Sequence, residues 1–388
     1  MHPDRNNPGT HGKKVCVIAG EASGDLHGAN LVRTMEEIGQ DLRFSGIGGT
    51  KMKQAGVELL AESGDMAVVG LTEVLSRLGV ILQVRKKIRN HLKEERPDLL
   101  ILIDYPDFNI PLAKYAKKLG IPVFYYISPQ VWAWRQGRIS VLERSVDRMA
   151  VILPFEKEFY RRVSKLDVHF TGHPLLDVVK QTAPREQTLM RRGLNPGRMT
   201  VALLPGSREK EVTRLLPEML TAAGIIAGKL PDIQFLLPLA DTLSREFVSA
   251  VIAGSPIPVT IVENDGYNAL AAADAAMVTS GTATLETALL EVPMIIVYKV
   301  SPLSYLLGRM VIHVSHIGLV NIIAGREIVP ELIQGYATGE AMADEIYRIL
   351  SDQARRRQMR EDLKKVRAKL GSPGASRRAA ELALEMIG

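Results

Sequence analysis

Short runs of wholly apolar residues alternate along the chain with longer stretches in which apolar residues recur every three or four positions. The short runs predict strands buried on both faces, and the longer ones predict helices laid over them. In the first half the strand candidates are residues 14–19, 42–46, 98–103, 123–127, 148–153 and 168–172. The alternation pauses at Gly172-His-Pro174 and the polar stretch 181–198. It resumes with candidates at 200–204, 234–239, 259–262, 275–278 and 294–298. No internal sequence repeat accompanies this second series. Residues 339–388 carry only the helical pattern, broken at Gly371-Ser-Pro-Gly374. The expected fold class is α/β: two Rossmann-like, doubly wound domains facing a cleft, with a helical C-terminal tail. The expected divisions are a leader without order (1–13), a first domain (14–178) and a second (179–371). The last helix, about 372–388, either packs back on the first domain or exchanges with a partner subunit in a homodimer.

Sheets of this kind bind ligands beyond the carboxyl ends of their strands, so the loops that follow strands are where chemistry belongs. After the first strand comes Gly20-Glu-Ala-Ser-Gly-Asp25, with a further glycine at 28. Glycines four apart match neither the dinucleotide fingerprint nor the P-loop. The loop is either a tight turn with Ser23 or Asp25 as helix cap, or a site in which Glu21 accepts bonds from sugar hydroxyls. Ile101-Leu-Ile-Asp-Tyr-Pro-Asp-Phe-Asn109 ends an apolar strand on Asp104. A carboxylate losing water there is raised toward general-base duty, while Asp107 or Asn109 is free to cap the helix expected from Ile110. Ser128-Pro-Gln-Val-Trp-Ala-Trp-Arg135 holds both tryptophans of the chain, followed by Arg138. Trp132 either stacks on a sugar or packs at a domain edge, and the arginines offer forks for phosphate.

In the second half, Leu204-Pro-Gly-Ser-Arg208 joins a strand to a helix. Amides at Gly206 and Ser207 with the charge of Arg208 suit a diphosphate. Thr279-Ser-Gly-Thr-Ala-Thr-Leu-Glu286 supplies Ser280, Gly281, Thr282 and Thr284, with Glu286 one turn into the helix and placed for ribose hydroxyls. Each loop alone reads as a capped helix, and Glu286 alone as a solvated charge. Together they make a nucleoside-diphosphate cradle.

Net charge is +6 (49 basic against 43 acidic residues), which suits anionic small molecules or an anionic lipid surface as well as it suits nucleic acid. No basic stripe interleaved with aromatics points to nucleic acid. A single cysteine, Cys16, lies in an apolar run and fits a reduced, cytosolic protein. No zinc-type spacing of Cys and His occurs, no signal peptide is evident, and no apolar run reaches eighteen residues.

Eight segments in order carry a family resemblance: GEASGD (20–25), IDYPDFN (103–109), SPQVWAWR (128–135), LPFEKEFY (153–160), GHPLLD (172–177), LLPGSR (203–208), SGTATLE (280–286) and NIIAGREIVPE (321–331). They resemble the lipid-A-disaccharide synthases of Gram-negative bacteria, glycosyltransferases of the GT-B fold. The resemblance implies an inverting transfer from UDP-2,3-diacylglucosamine to 2,3-diacylglucosamine 1-phosphate. The products are a β-1,6-linked disaccharide 1-phosphate and UDP. It implies Asp104 as the base, with Asp107 as the fallback, and Arg208 with the loops at 206–207 and 280–284 on the departing UDP in place of a metal, with no cofactor. It implies Glu286 on the ribose, Asn321 at the donor with Arg326 nearby, and Glu21 on the acceptor side, where Ser23, Trp132 and Arg135 also fall. The alternative is another GT-B enzyme of UDP-sugars, either a lipid-linked sugar transferase or an epimerase.

Acylated substrates imply contact with the cytoplasmic leaflet of the inner membrane, as a peripheral protein. Residues 66–93 combine Val68, Val69, Leu71, Val74, Leu75, Leu78, Ile81 and Leu82 with Arg77, Arg85, Lys86, Lys87 and Arg89. An apolar face with a basic margin suits an interfacial helix, and the same pattern also serves a helix covering the sheet.

Overall fold

The first half forms seven strands: β1 (Lys13–Ala19), β2 (Leu42–Gly48), β3 (Glu58–Glu62), β4 (Leu99–Ile103), β5 (Val123–Tyr126), β6 (Arg148–Val151) and β7 (Asp167–Phe170). The described part of the second half forms β8 (Thr200–Leu204), β9 (Gln234–Pro238), β10 (Val259–Val262), β11 (Ala275–Thr279), β12 (Met294–Tyr298) and β13 (Glu331–Ile333). This computed structural model describes residues 12–39, 41–65, 71–301 and 316–388, with the side chains of residues 22, 65 and 71–78 excepted. The chain divides into two units, Met1–Pro174 with Ser372–Gly388, and Leu175–Gly371.

The first sheet runs β3-β2-β1-β4-β5-β6-β7 and the second β10-β9-β8-β11-β12-β13. Every pairing is parallel. Each order reverses once, between β1 and β4 and between β8 and β11, and such reversals are where a doubly wound sheet opens a crevice at its strand ends. The central strand β4 reads LLILI and is buried throughout. On one face Leu100 and Leu102 pack with Cys16 and Ile18 of β1 under Ile88 and Leu92 of the helix Leu71–Glu95 and Phe108 and Leu112 of the helix Pro106–Lys118. Toward the other face Ile103 lies against the glycines of the helix Ala22–Ile38, close to the Cβ positions of Gly24 and Gly28. Burial pushes the Cys16 thiol up to about 12, so it is a packing group.

Two strands escape the hydrophobic pattern, β3 (ELLAE) and β13 (ELI). Both are edge strands begun by glutamate and only half-buried, so neither forms the apolar run that marks an interior strand. The last helix, Ala375–Leu384, belongs to the first unit. Arg148 on β6 donates to Leu382 O at 3.1 Å and pairs with Glu385 at 2.7 Å, and Arg378 donates to Thr171 O at 2.8 Å. No described helix is long and apolar enough to cross a membrane.

Candidate functional site

In the first unit the reversal point brings the loop after β1 beside the loop after β4. Asp104 ends β4, and both Asp104 and Tyr105 adopt left-handed backbone, each with φ of 44°. Two consecutive non-glycine residues there store strain that the surroundings must hold in place. They do so through the freed carbonyls. Asn109 Nδ2 donates to Ile103 O at 3.2 Å and Asp104 O at 2.7 Å, and the Tyr125 hydroxyl donates to Asp104 O at 2.6 Å. The Tyr105 ring fills the space where a side chain on Gly20 would lie, so the opening glycine is needed for close approach. Burial pushes the Asp104 carboxyl up to about 7; Glu21 repels its charge in the same direction, and a bond from the Tyr105 backbone opposes them.

The expected helix caps are corrected here. The helix starts at Pro106 with Tyr105 at its cap, so neither Asp107 nor Asn109 caps a helix from Ile110. Asn109 serves the strand-end carbonyls, and the Asp107 carboxylate points to the next loop. Asp25 does not cap its own helix; it accepts from the amides of Gly49, Lys51 and Met52 at 2.6, 3.0 and 3.0 Å and so caps the helix Thr50–Gln54. Glu21 occupies the cap position of the helix Ala22–Ile38 without a side-chain bond to it, and Ser23 is exposed.

The loop after β5 is fastened by the helix Glu156–Val163. Buried Glu156 accepts from Trp132 Nε1 at 3.1 Å and from the amides of Ile152 and Leu153 at 3.3 and 3.0 Å. One turn on, the Tyr160 hydroxyl bonds Ser128 Oγ at 2.8 Å, and Phe155 meets the Trp132 ring edge to face at 4.9 Å. Trp132 is therefore anchored inward. Trp134 instead carries the guanidinium of Arg135 at 4.4 Å and of Arg138 at 5.8 Å, and both arginines pair with Asp107. Burial pushes the Glu156 carboxyl up to about 7 against those three donors.

In the second unit the loops after β8 and β11 flank the corresponding reversal. Gly206 has φ of 120° and its Cβ position is blocked by Glu211. Glu211 folds back from the first turn of the helix Glu209–Lys229, accepting from Ser207 N at 3.1 Å and pairing with Arg208 at 3.3 Å. The Ser207 amide is thus occupied, and two glutamates in that first turn disfavour an anion, so the expected amide cradle at 206–207 is corrected. Arg208 is half-exposed and remains a candidate cation for an anion at this loop. The helix Thr282–Leu289 has no acid in its first turn, and Gly281 at its start faces open space. Its amides suit an anion better. Glu286 is half-buried and accepts from the Tyr267 hydroxyl at 3.2 Å; burial, then Asp241, raises its carboxyl against that bond. It is no solvated charge.

Asn321 and Arg326 do not join this group. Asn321 is fully buried: its amide donates to Val329 O and Glu331, and its oxygen accepts from Ile328 N and Val329 N. Those bonds use its whole capacity, so its part is to shape residues 317–331 and it has nothing left for a donor sugar. Arg326 pairs at 2.7 Å with Asp362 of the helix Gln353–Lys369. Among the described residues no cluster of three or more His, Cys, Asp or Glu is arranged for a metal ion.

Of the membrane-facing candidates, Val68 and Val69 lie outside the described residues, and Leu71, Leu75, Arg77 and Leu78 lie in a helix stretch whose side chains are not described. Beyond them Val80 and Leu82 are 40% and 50% exposed, and Lys86 is exposed. Arg85 is half-buried, 5.9 Å from the Phe108 ring, and so belongs to the packing of the first unit.

The sequence reading gave no role to Trp134, Glu156, Tyr160 or Tyr267. Glu156 and Tyr160 were visible as an i, i+4 pair within LPFEKEFY, a spacing that puts both on one helix face. Nothing in the order of residues shows that this face meets a loop 24 residues earlier in the chain.

A profile of the family described as "Lipid-A-disaccharide synthetase" matches residues 15–386. The lipid-A-disaccharide synthase of Syntrophus aciditrophicus is 57% identical over 376 residues, 97% of this chain and 98% of that one. Among solved structures, UDP-GlcNAc 2-epimerase from Neisseria meningitidis superposes with a TM-score of 0.66 at 12% identity, covering 96% of this chain and 100% of that one. MurG from Acinetobacter baumannii superposes with a TM-score of 0.57 at 17% identity, covering 96% and 99%. At such identities the likeness establishes the fold, which is of GT-B type. Profile and relatives span nearly the whole chain, and on that ground the protein belongs to the lipid-A-disaccharide synthase family, the glycosyltransferases of lipid A biosynthesis.

Proposed function

We propose that this chain transfers the sugar of UDP-2,3-diacylglucosamine to the 6-hydroxyl of 2,3-diacylglucosamine 1-phosphate, with inversion at the anomeric carbon. The observation that carries the reading is Asp104. Among the described residues it is the one strand-end carboxyl raised to about 7, and it is held at a strained turn by Asn109 and Tyr125. A carboxylate so placed takes the proton of the attacking hydroxyl as the glycosidic bond forms. UDP leaves as the bond from the anomeric carbon to the diphosphate breaks. Arg208 and the start of the helix Thr282–Leu289 take up its developing charge, without a metal. Glu286, oriented by Tyr267, takes the ribose hydroxyls. Ser280 and Thr282 add hydroxyls beside the diphosphate.

Acylated glucosamines require a lipid surface, and the exposed Val80 and Leu82 with Lys86 support contact through the helix Leu71–Glu95. The protein on this reading works at the cytoplasmic face of the inner membrane. The test is UDP release with the two acylated sugars, with and without chelator. Turnover that needs both sugars and persists in chelator is expected. UDP release from the donor alone, or activity restored only by a divalent cation, contradicts the reading.

A further inference from the structure

Asp107 holds more positive charge than one carboxylate needs. Its Oδ1 receives Arg135 Nη1 at 3.1 Å and also Arg138 Nη2, so two permanent cations meet a single anion and leave a surplus of one. The two guanidiniums share one platform, the Trp134 ring, and Arg135 adopts a left-handed backbone with φ of 57° in reaching it. The side chain of Arg138 is 22% exposed, whereas that of Asp107 is 66% exposed. Arg138 is thus partly shielded and Arg135 half-exposed, both are preorganised on one platform, and the anion is the most exposed of the three and the most easily displaced.

We propose that Arg135 and Arg138 on the Trp134 shelf form a site for the phosphate monoester of the acceptor, with Asp107 as the displaceable carboxylate that keeps the two forks converged. This rests on the transfer reading for the identity of the ligand, because the acceptor in that reading carries a phosphate and the base lies three residues before Asp107. A phosphate oxygen at the Asp107 position would accept from both guanidiniums, and a monoester dianion would match two cations where the carboxylate matches one. The site makes Asp107 a regulator of acceptor binding rather than a second base.

Both tryptophans of the chain lie in this loop, so intrinsic fluorescence reports on it. Glucosamine 1-phosphate titrated into the full-length protein is expected to give a saturable change, and glucosamine none over the same range. Arg135→Gln with Arg138→Gln should weaken binding by about 10- to 100-fold. Arg138→Lys, which keeps the charge but not the fork, should fall between. Asp107→Asn should tighten binding several-fold. Melting temperatures of the variants distinguish lost binding from lost folding, and Arg138→Lys serves if the double variant does not fold. No saturable response in the wild type, equal response to glucosamine, or weaker binding by Asp107→Asn would each overturn the proposal. UDP release from the acylated sugars reports separately on the transfer reading, so either can fail alone.

Discussion

The loops around the reversal in the first sheet and those around the reversal in the second occupy the same place in the same strand order, yet they are built oppositely. After β4, at the reversal, the chain passes through left-handed non-glycine residues at Asp104 and Tyr105, and the neighbouring loop after β5 does so again at Ile127 and Arg135. In the turns that join β8 and β11 directly to their helices, the left-handed residues are the glycines 206 and 281. The first unit spends strain on holding a water-poor carboxylate and a fastened aromatic loop, whereas the second offers hydroxyls, amides and a cation on relaxed backbone. Strain of this kind persists only where surrounding bonds over-determine it, and Asn109, Tyr125, Glu156 and Tyr160 provide those bonds. On the proposed reading, one scaffold used twice carries a reacting group in one copy and a binding surface in the other.

Substitutions should separate the two. Asp104→Asn is expected to lower kcat by roughly 10²- to 10⁴-fold while the affinity for UDP stays within about twofold. Isothermal titration with UDP beside the rate measurement checks both halves. Arg208→Ala, on the relaxed side, should lower kcat/KM by about 10²-fold and weaken UDP binding along with it. Glu156→Gln should cost about 1–3 kcal/mol of stability, because an amide turns an N–H toward either Trp132 or the Ile152 and Leu153 amides. Thermal melting reads that loss, and a fall in acceptor kcat/KM with an unchanged donor KM would tie it to the first unit. Val80→Ser with Leu82→Ser should have the smallest effect, reducing partition to anionic vesicles several-fold and leaving turnover of detergent-dispersed substrate intact. Unchanged partition would remove the membrane assignment from this helix.

The interior strands were legible because parallel strands covered on both faces leave continuous apolar runs, and β4 is the clearest. The edge strands β3 and β13 were not, since half-buried, glutamate-bounded segments carry no such signal. Asp104 could be singled out by its place at the end of LLILI. Asp25, Asn109 and Asn321 were read as local caps or ligand contacts, and in the structure each holds backbone in its neighbourhood or beyond. Short amides and carboxylates bond whatever the fold brings near, so their partners depend on tertiary contacts that spacing alone does not encode. The Glu211 fold-back onto Ser207 is the reverse case. It lies within one helical turn and could have been weighed from the sequence as a capping interaction.

The account rests on Asp104 as a base whose carboxyl is raised by burial and by Glu21. Its most direct test is the pH dependence of kcat/KM in the wild type and in Glu21→Gln. The base acts only when deprotonated, so kcat/KM should fall about tenfold per pH unit below a limb near 7. Removing the Glu21 charge relieves the repulsion and should move that limb to lower pH. A limb in the ordinary carboxylate range in the wild type, or one that stays in place in Glu21→Gln, would contradict the account.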